Sequence, residues 1–303
     1  MQTMKYNITE YKSKLQKLLK KPNNQEVLNK WLKSELAYTS NAIEGNTLTR
    51  KETELVIEEH ITSSSKPFVF YQEAVNHAKA FERILEVLQN NLVIDENEVL
   101  NLHKIILTGI DEYNAGLYRN CMVRIAGSRV VMPNPLKIPD LMNDFFQWLE
   151  SADKNDFITA FEAHYRLVSI HPFTDGNGRT ARLLMNLLLL KADYCPVIIR
   201  TIDRKRYLNN LEKSQLTGEI TSYNKFMLNA LERSLKTMIE AIDIDKKIPS
   251  KLLTISKFAQ LAGMPVSTIR YFVRTGKLKP VSYTNSGYMQ FAPEQRDILL
   301  MMH

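Results

Sequence analysis

A helical repeat of apolar residues runs, with one interruption, through almost all of the first 245 positions, and it restricts the fold more than any other feature. Segments such as VLNKWLKSELAYTSNAIE, HAKAFERILEVLQNN, IPDLMNDFFQWLESA and TARLLMNLLLLKADY place apolar side chains three and four residues apart. Each must bury one stripe against another helix, which predicts an all-α core. The interruption is MVRIAGSRVVM, Met122 to Met132, where β-branched residues alternate around Gly127-Ser128. That pattern predicts a short hairpin on a Gly-X turn, closed by Pro133, Pro135 and Pro139.

Length and charge organise the rest. A chain of 303 residues has room for about two cores. Residues 246–303 hold nine Lys/Arg against Glu294 and Asp297, so the net charge of +7 for the whole chain resides there and the preceding residues balance. A neutral body with a basic tail points to a polyanionic partner for the tail. The boundary is expected in AIDIDKKIPSK, residues 241–251, where the last helical repeat ends in charges and a proline. Two distant cysteines, Cys121 and Cys195, form no C-x-x-C pair. No membrane-length apolar run and no signal-peptide h-region is present, so a cytoplasmic location without membrane contact is expected.

The repeat is punctuated by HPFTDGNGRTAR, His171 to Arg182, immediately before an apolar run. Gly176 and Gly178 around Asn177 allow positive φ, so successive backbone N–H groups can converge on an anion at the start of a helix expected near Thr180. Asp175 is the only acid in the loop and suits Mg²⁺. Arg179 and Arg182, three apart, are expected over the same anion, and His171 can take a proton near neutral pH. A metal hydrolase built on His164, His171 and Asp175 remains open on spacing alone, although it matches no zinc pattern. The P-loop and protein-kinase signatures are absent.

With every defined position of H-P-F-x-[D/E]-G-N-G-R-x-x-R filled, this stretch resembles the motif of Fic domain proteins, and the resemblance extends over roughly residues 35–235. It implies an N-terminal helical region over 1–97 and a helical catalytic domain over 98–240. The implied activity is transfer of AMP from ATP to a Ser, Thr or Tyr hydroxyl of a target protein. In that scheme His171 is the base and Asp175 holds Mg²⁺. Gly176, Asn177, Gly178 and Arg179 hold the phosphates, Arg182 takes the γ-phosphate, and Phe173 anchors the loop. The implied flap is Val123, Arg124, Ile125, Ala126, Gly127, Ser128, Arg129 and Val130, to which a target segment adds as a strand. Tyr207 and Gln215 stand where the family places adenine contacts.

A second stretch, Ser40-Asn41-Ala42-Ile43-Glu44-Gly45-Asn46, ends a helical pattern at Gly45 and leaves Glu44 at the negative end of a helix, where a carboxylate needs an outside cation. It resembles the family's inhibitory motif [S/T]-x-x-x-E-[G/N]. The resemblance implies that Glu44, with Ser40 one turn earlier, pairs with Arg182 and excludes the γ-phosphate. Self-inhibition follows, and removal of AMP as a second activity is compatible with it.

In the tail, ISKFAQLAGMPVSTIRYFVRTGKLKP resembles a MerR-type winged helix-turn-helix over 246–303. A first helix is expected to run to Ala262, Gly263 to make the turn, and a second helix to start at Ser267. A wing over Thr284-Asn285-Ser286-Gly287-Tyr288 completes the pattern, which departs from the family at Met289 and lacks a long dimerising helix. The candidate DNA contacts are Ser267, Thr268, Arg270, Tyr271, Arg274 and Lys277. Protein docking is the alternative role, and a homo-oligomer is compatible with the sequence. The competing readings of the whole chain are a DNA-binding regulator that senses nucleotide and a transferase using another nucleotide donor.

Overall fold

A computed structural model of the chain describes residues 2–62, 65–243, 252–284, 287–293 and 295–300. The chain divides into two compact units, Met1–Ile242 and Asp243–His303. The first contains α1 (Gln2–Leu19), α2 (Asn24–Ile43), α3 (Arg50–Glu59), α4 (Phe68–Gln89) and α5 (Glu96–Leu107). It continues with α6 (Ile138–Ser151), α7 (Phe157–Ile170), α8 (Asn177–Lys191), α9 (Arg204–Thr217) and α10 (Thr221–Ile242).

Local chemistry sets several of these boundaries. Thr49 caps α3 in a reciprocal box with Glu52, each accepting a hydrogen bond from the other's backbone N–H. Asp95 and Asp156 cap α5 and α7 by accepting from Glu98 N and Ile158 N. α8 is enclosed on all sides, and every residue from Arg179 to Leu189 is buried. Such a helix must lie at the centre of its unit. It packs against α2, α4, α5 and α7, while α1 packs on α10. The N-terminus of α8 is thereby presented where α7 ends and beside the C-terminal end of α2.

The interruption after α5 is not a paired hairpin. Residues 122–132 alternate between half-buried and exposed up to Val131, as an extended chain does, but no strand forms in this segment. The turn at Ala126-Gly127 closes with Ser128 N donating to Ile125 O at 3.1 Å, and Gly127 has φ +76°. The expected ladder gives way to an outside anchor: Glu212 of α9 accepts from Ser128 Oγ at 3.1 Å and from Arg129 N at 2.8 Å. These bonds hold Glu212 below the usual carboxylate range, the Arg129 backbone N–H contributing most.

The second unit contains β1 (Leu253–Thr254), α11 (Ile255–Ala262), α12 (Val266–Arg274), β2 (Ser282–Tyr283), β3 (Met289–Phe291) and α13 (Gln295–Leu300). The strands form an antiparallel sheet in the order β1-β3-β2, with Leu253 opposite Phe291 and Tyr283 opposite Met289. Gly263, at φ +65°, ends α11, and Pro265 caps α12, which starts at Val266, one residue before the expected Ser267. Phe258 stacks on Phe291 with centroids 4.9 Å apart, and Ile269, Phe272 and Leu278 complete the core. Asn285 and Ser286 of the expected wing lie outside the described residues. Met289, the departure from the family pattern, packs against this core.

Candidate functional site

The loop between α7 and α8 is a rigid turn. His171 ends α7 in the left-handed region, φ 53° and ψ 58°, a conformation uncommon for a residue with a Cβ. Its ring Nδ1 lies 3.3 Å from Val168 O, which commits Nδ1 as donor and leaves Nε2 as the free lone pair. Burial pushes the imidazole below its ordinary value, against the opposing pull of that carbonyl. Neutral Nε2 is the form that accepts a proton.

Asn177 folds the loop onto itself, accepting from Phe173 N at 2.9 Å and donating to Phe173 O at 2.8 Å. That pairing starts α8 at Asn177, three residues before the expected Thr180, with Gly176 as its cap at φ 75°. The first helical bond is Thr180 N to Gly176 O at 2.9 Å. The N–H groups of Gly178 and Arg179 in the opening turn therefore have no acceptor within the helix, the arrangement that binds anions.

Two side chains absent from the sequence reading hold this turn in place. His103 of α5 stacks face to face on Phe173, centroids 3.6 Å apart. Gly116 N donates to its Nδ1 at 2.9 Å, so Nε2 carries the proton and donates to Asp175 O at 3.0 Å. Arg119 donates to the carbonyls of His171, Cys121 and Pro133, each at 2.8 Å. One guanidinium thus ties the base of the flap segment to the catalytic candidate, and no local pattern marks it.

Arg179 and Arg182 do not converge. Arg179 Nη2 binds Asp175 Oδ2 at 2.9 Å, and its Nη1 binds Glu73 Oε1 at 2.8 Å. Arg182 donates to Ser40 Oγ and Ser40 O, both at 3.0 Å, and to Glu44 Oε1 at 2.6 Å. Glu44 is the C-cap of α2, with Gly45 next at φ +103°. Its carboxylate is 37% exposed, whereas the Arg182 side chain is 6% exposed. A Cβ built on Gly178 would overlap Glu44 Oε1, so the carboxylate already sits against the anion-binding turn. Arg204 also fixes the end of α2 by donating to Ile43 O at 2.6 Å. Ser40 and Glu44 are therefore both brought to Arg182.

Tyr207 and Gln215 are not brought to the loop surface. Tyr207 is fully buried, its hydroxyl 2.8 Å from His164 Nε2, and Tyr223 Oη lies 2.7 Å from His164 Nδ1. With both ring nitrogens engaged by phenols, His164 is withdrawn from any metal set with His171 and Asp175. Gln215 Nε2 donates to Ser169 Oγ of α7 at 3.3 Å.

Burial lowers three histidines: His103 to about 4, and His77 and His164 to about 3, with positive Arg182 adding to the effect at the last two. Folded values below the unfolded value mean that this contribution to stability is complete above about pH 6.5 and declines as pH falls towards the folded values. Each is expected to remove about 2 kcal/mol between pH 6.5 and pH 5. Urea unfolding at pH 7 and pH 5 measures this, and equal stabilities would contradict neutral burial of these rings.

Residues 93–189 match the family model described as Fic/DOC family, and residues 253–303 match that of the MerR HTH family regulatory proteins. Residues 93–189 are a Fic domain. The Fic domain and its flanks are 36% identical over 231 residues to a protein from Drosophila grimshawi named protein adenylyltransferase Fic, covering 75% of this chain and 47% of that protein. A protein of the same name from Nematostella vectensis is 35% identical over 211 residues, covering 68% of this chain and 49% of its own. The chain thus spans about half the length of the curated relatives it matches. Among solved structures, a Fic-domain-containing signalling protein from Bacteroides thetaiotaomicron superposes with a TM-score of 0.71 at 28% identity, covering 78% of this chain and 98% of that one. C. elegans Fic-1 superposes with a TM-score of 0.70 at 25% identity, covering 80% and 74%. No helix among the described residues is long and apolar enough to cross a membrane.

Proposed function

We propose that this chain is a protein adenylyltransferase that holds itself inhibited. The observation that carries the proposal is the Glu44 carboxylate, 2.6 Å from buried Arg182 and seated against Gly178. An anion from the chain itself fills the place that the terminal phosphate of ATP would take. The naming of the relatives as adenylyltransferases supports the same chemistry.

When Glu44 withdraws, the open turn at Gly178 and Arg179 receives the triphosphate and Arg182 its γ-phosphate. A target segment adds to the extended flap over residues 123–130, whose ladder groups lack a partner strand, and presents a Ser, Thr or Tyr hydroxyl. His171 Nε2 takes the hydroxyl proton. The oxygen forms a bond to the α-phosphorus, the bond from that phosphorus to the bridging oxygen breaks, and pyrophosphate leaves. The target retains AMP as a phosphodiester. Adenine is held elsewhere than on Tyr207, which is enclosed, or requires that residue's surroundings to open.

Asp175 fits Mg²⁺: its carboxylate is 66% exposed at the mouth of the turn, an all-oxygen donor with one oxygen on Arg179. No group of three or more His, Cys, Asp or Glu among the described residues could hold a metal by itself. When bound, it neutralises charge on the departing pyrophosphate. Incubation with ATP labelled at the α- or the γ-phosphate tests the reaction. Label from the α position alone is expected, and label from the γ position would indicate phosphate transfer instead.

The second unit supports nucleic-acid binding. Ser267, Arg270, Tyr271 and Arg274 lie exposed on α12 with Lys277 beyond it, while Thr268 is half-buried. Such a face gains affinity from phosphate contacts and loses it with salt. A gel shift with mixed-sequence DNA is expected at about 50 mM salt, and to weaken at about 200 mM. Absence of binding at the lower salt would favour protein docking by this unit.

A further inference from the structure

The loop and the inhibitory turn are joined by a side chain that neither motif contains. Glu73, in the second turn of α4, accepts from Arg179 Nη1 with Oε1 and from Asn46 Nδ2 with Oε2, both at 2.8 Å. Asn46 lies two residues beyond Glu44 and fixes the turn at that point. Its N–H donates to Asn41 O at 3.1 Å, its Nδ2 also donates to Phe70 O at 2.9 Å, and its Oδ1 accepts from Leu48 N at 2.9 Å. Arg179 reaches the other way, to Asp175 Oδ2 at 2.9 Å. An unbroken chain of polar contacts therefore runs Asp175–Arg179–Glu73–Asn46, ending beside the residue that blocks the site. Arg179 is 3% exposed and Glu73 15%, so the contact between them is screened little by water.

The division of charge is informative. Arg179 Nε is buried without a hydrogen-bond partner, so this guanidinium is held by Asp175 and Glu73. Whatever draws Asp175 away from Arg179 leaves that cation to Glu73. A displaced Arg179 carries Glu73 with it, and Glu73 cannot move without disturbing its bond to Asn46, because one carboxylate spans both.

We propose that Glu73 is a positioning residue that couples the seat of the inhibitory turn to the geometry of Asp175 and Arg179. Engagement of a metal–triphosphate at Asp175 then loosens the turn that carries Glu44, and a seated Glu44 disfavours that engagement by the same factor. This coupling acts in addition to direct exclusion by the Glu44 carboxylate. Its consequence for catalysis rests on the adenylyltransferase reading, whereas the coupling itself is a property of the nucleotide-free protein.

Hydrogen–deuterium exchange of the full chain without nucleotide tests it, comparing wild type, Asn46→Ala and Glu73→Gln. A glutamine offers one acceptor where two donors need one, so Glu73→Gln breaks one arm while preserving size. Glu73→Gln is expected to speed exchange at least about fivefold in both 44–46 and 173–179. Asn46→Ala touches nothing in the loop, yet is expected to speed 173–179 as well as 44–46. Transfer activity adds a readout that general loosening would not produce. Asn46→Ala is expected to raise labelling in the otherwise wild-type protein and leave it unchanged in a Glu44→Gly background. Wild-type exchange in 173–179 for Asn46→Ala would overturn the coupling, and this variant carries the test if Glu73→Gln fails to fold. If no form transfers AMP, the adenylyltransferase reading fails while the exchange data still decide the coupling.

Discussion

Glycine in place of Glu44 is expected to raise AMP transfer by about ten- to a hundredfold over the wild-type protein. The cause is the asymmetry of one ion pair. Arg182 is buried and also held by Ser40, so it stays in place when its partner is removed. Glu44 is more than a third exposed at the end of a helix, where the macrodipole opposes its charge. Its loss leaves a buried guanidinium short of an acceptor, a situation that disfavours the empty protein and that a phosphate group corrects. ATP should therefore raise the melting temperature of Glu44→Gly more than that of wild type. Equal transfer rates in the two proteins would show that Glu44 is a structural cap and not a brake.

Alanine at His171, introduced into the Glu44→Gly protein, is expected to lower transfer by about 10²- to 10⁴-fold, the usual contribution of a positioned base. ATP binding should change little, because the proposed phosphate seat is the turn that starts α8 and not the imidazole. The shape of the pH profile adds a check. Burial holds His171 below its ordinary value, so the neutral base is fully present above about pH 6.5, and transfer should fall only on the acid side of that point. A profile still rising well above neutrality would point to a different base.

The parts of this account that were legible in the sequence share a short range. The helices follow from a repeat of three and four residues, and the turn over Gly176 and Gly178 from residues that permit it. Glu44 at a helix end demanded a cation, and Arg182 supplies one. The errors arose where distant residues decide. Alternation over Met122–Met132 predicted a ladder, but the acceptor for the chain after the turn is Glu212 of α9. The helix begins at Asn177 because that side chain pairs with both backbone groups of Phe173, an option that composition does not announce. Tyr207, expected at adenine by resemblance, lies buried with its hydroxyl in a network with His164. His103, Glu73 and Arg119 carry no local signal because each reaches the loop from far away in sequence, in the case of Glu73 across 106 positions.

The most direct test of a self-inhibited adenylyltransferase is a single comparison with ATP labelled at the α-phosphate and Mg²⁺, using wild type, Glu44→Gly, and Glu44→Gly with His171→Ala. Strong protein labelling in Glu44→Gly, little in wild type and almost none in the double variant is the predicted result. Labelling that is equal in wild type and Glu44→Gly, or that survives the loss of His171, would contradict it.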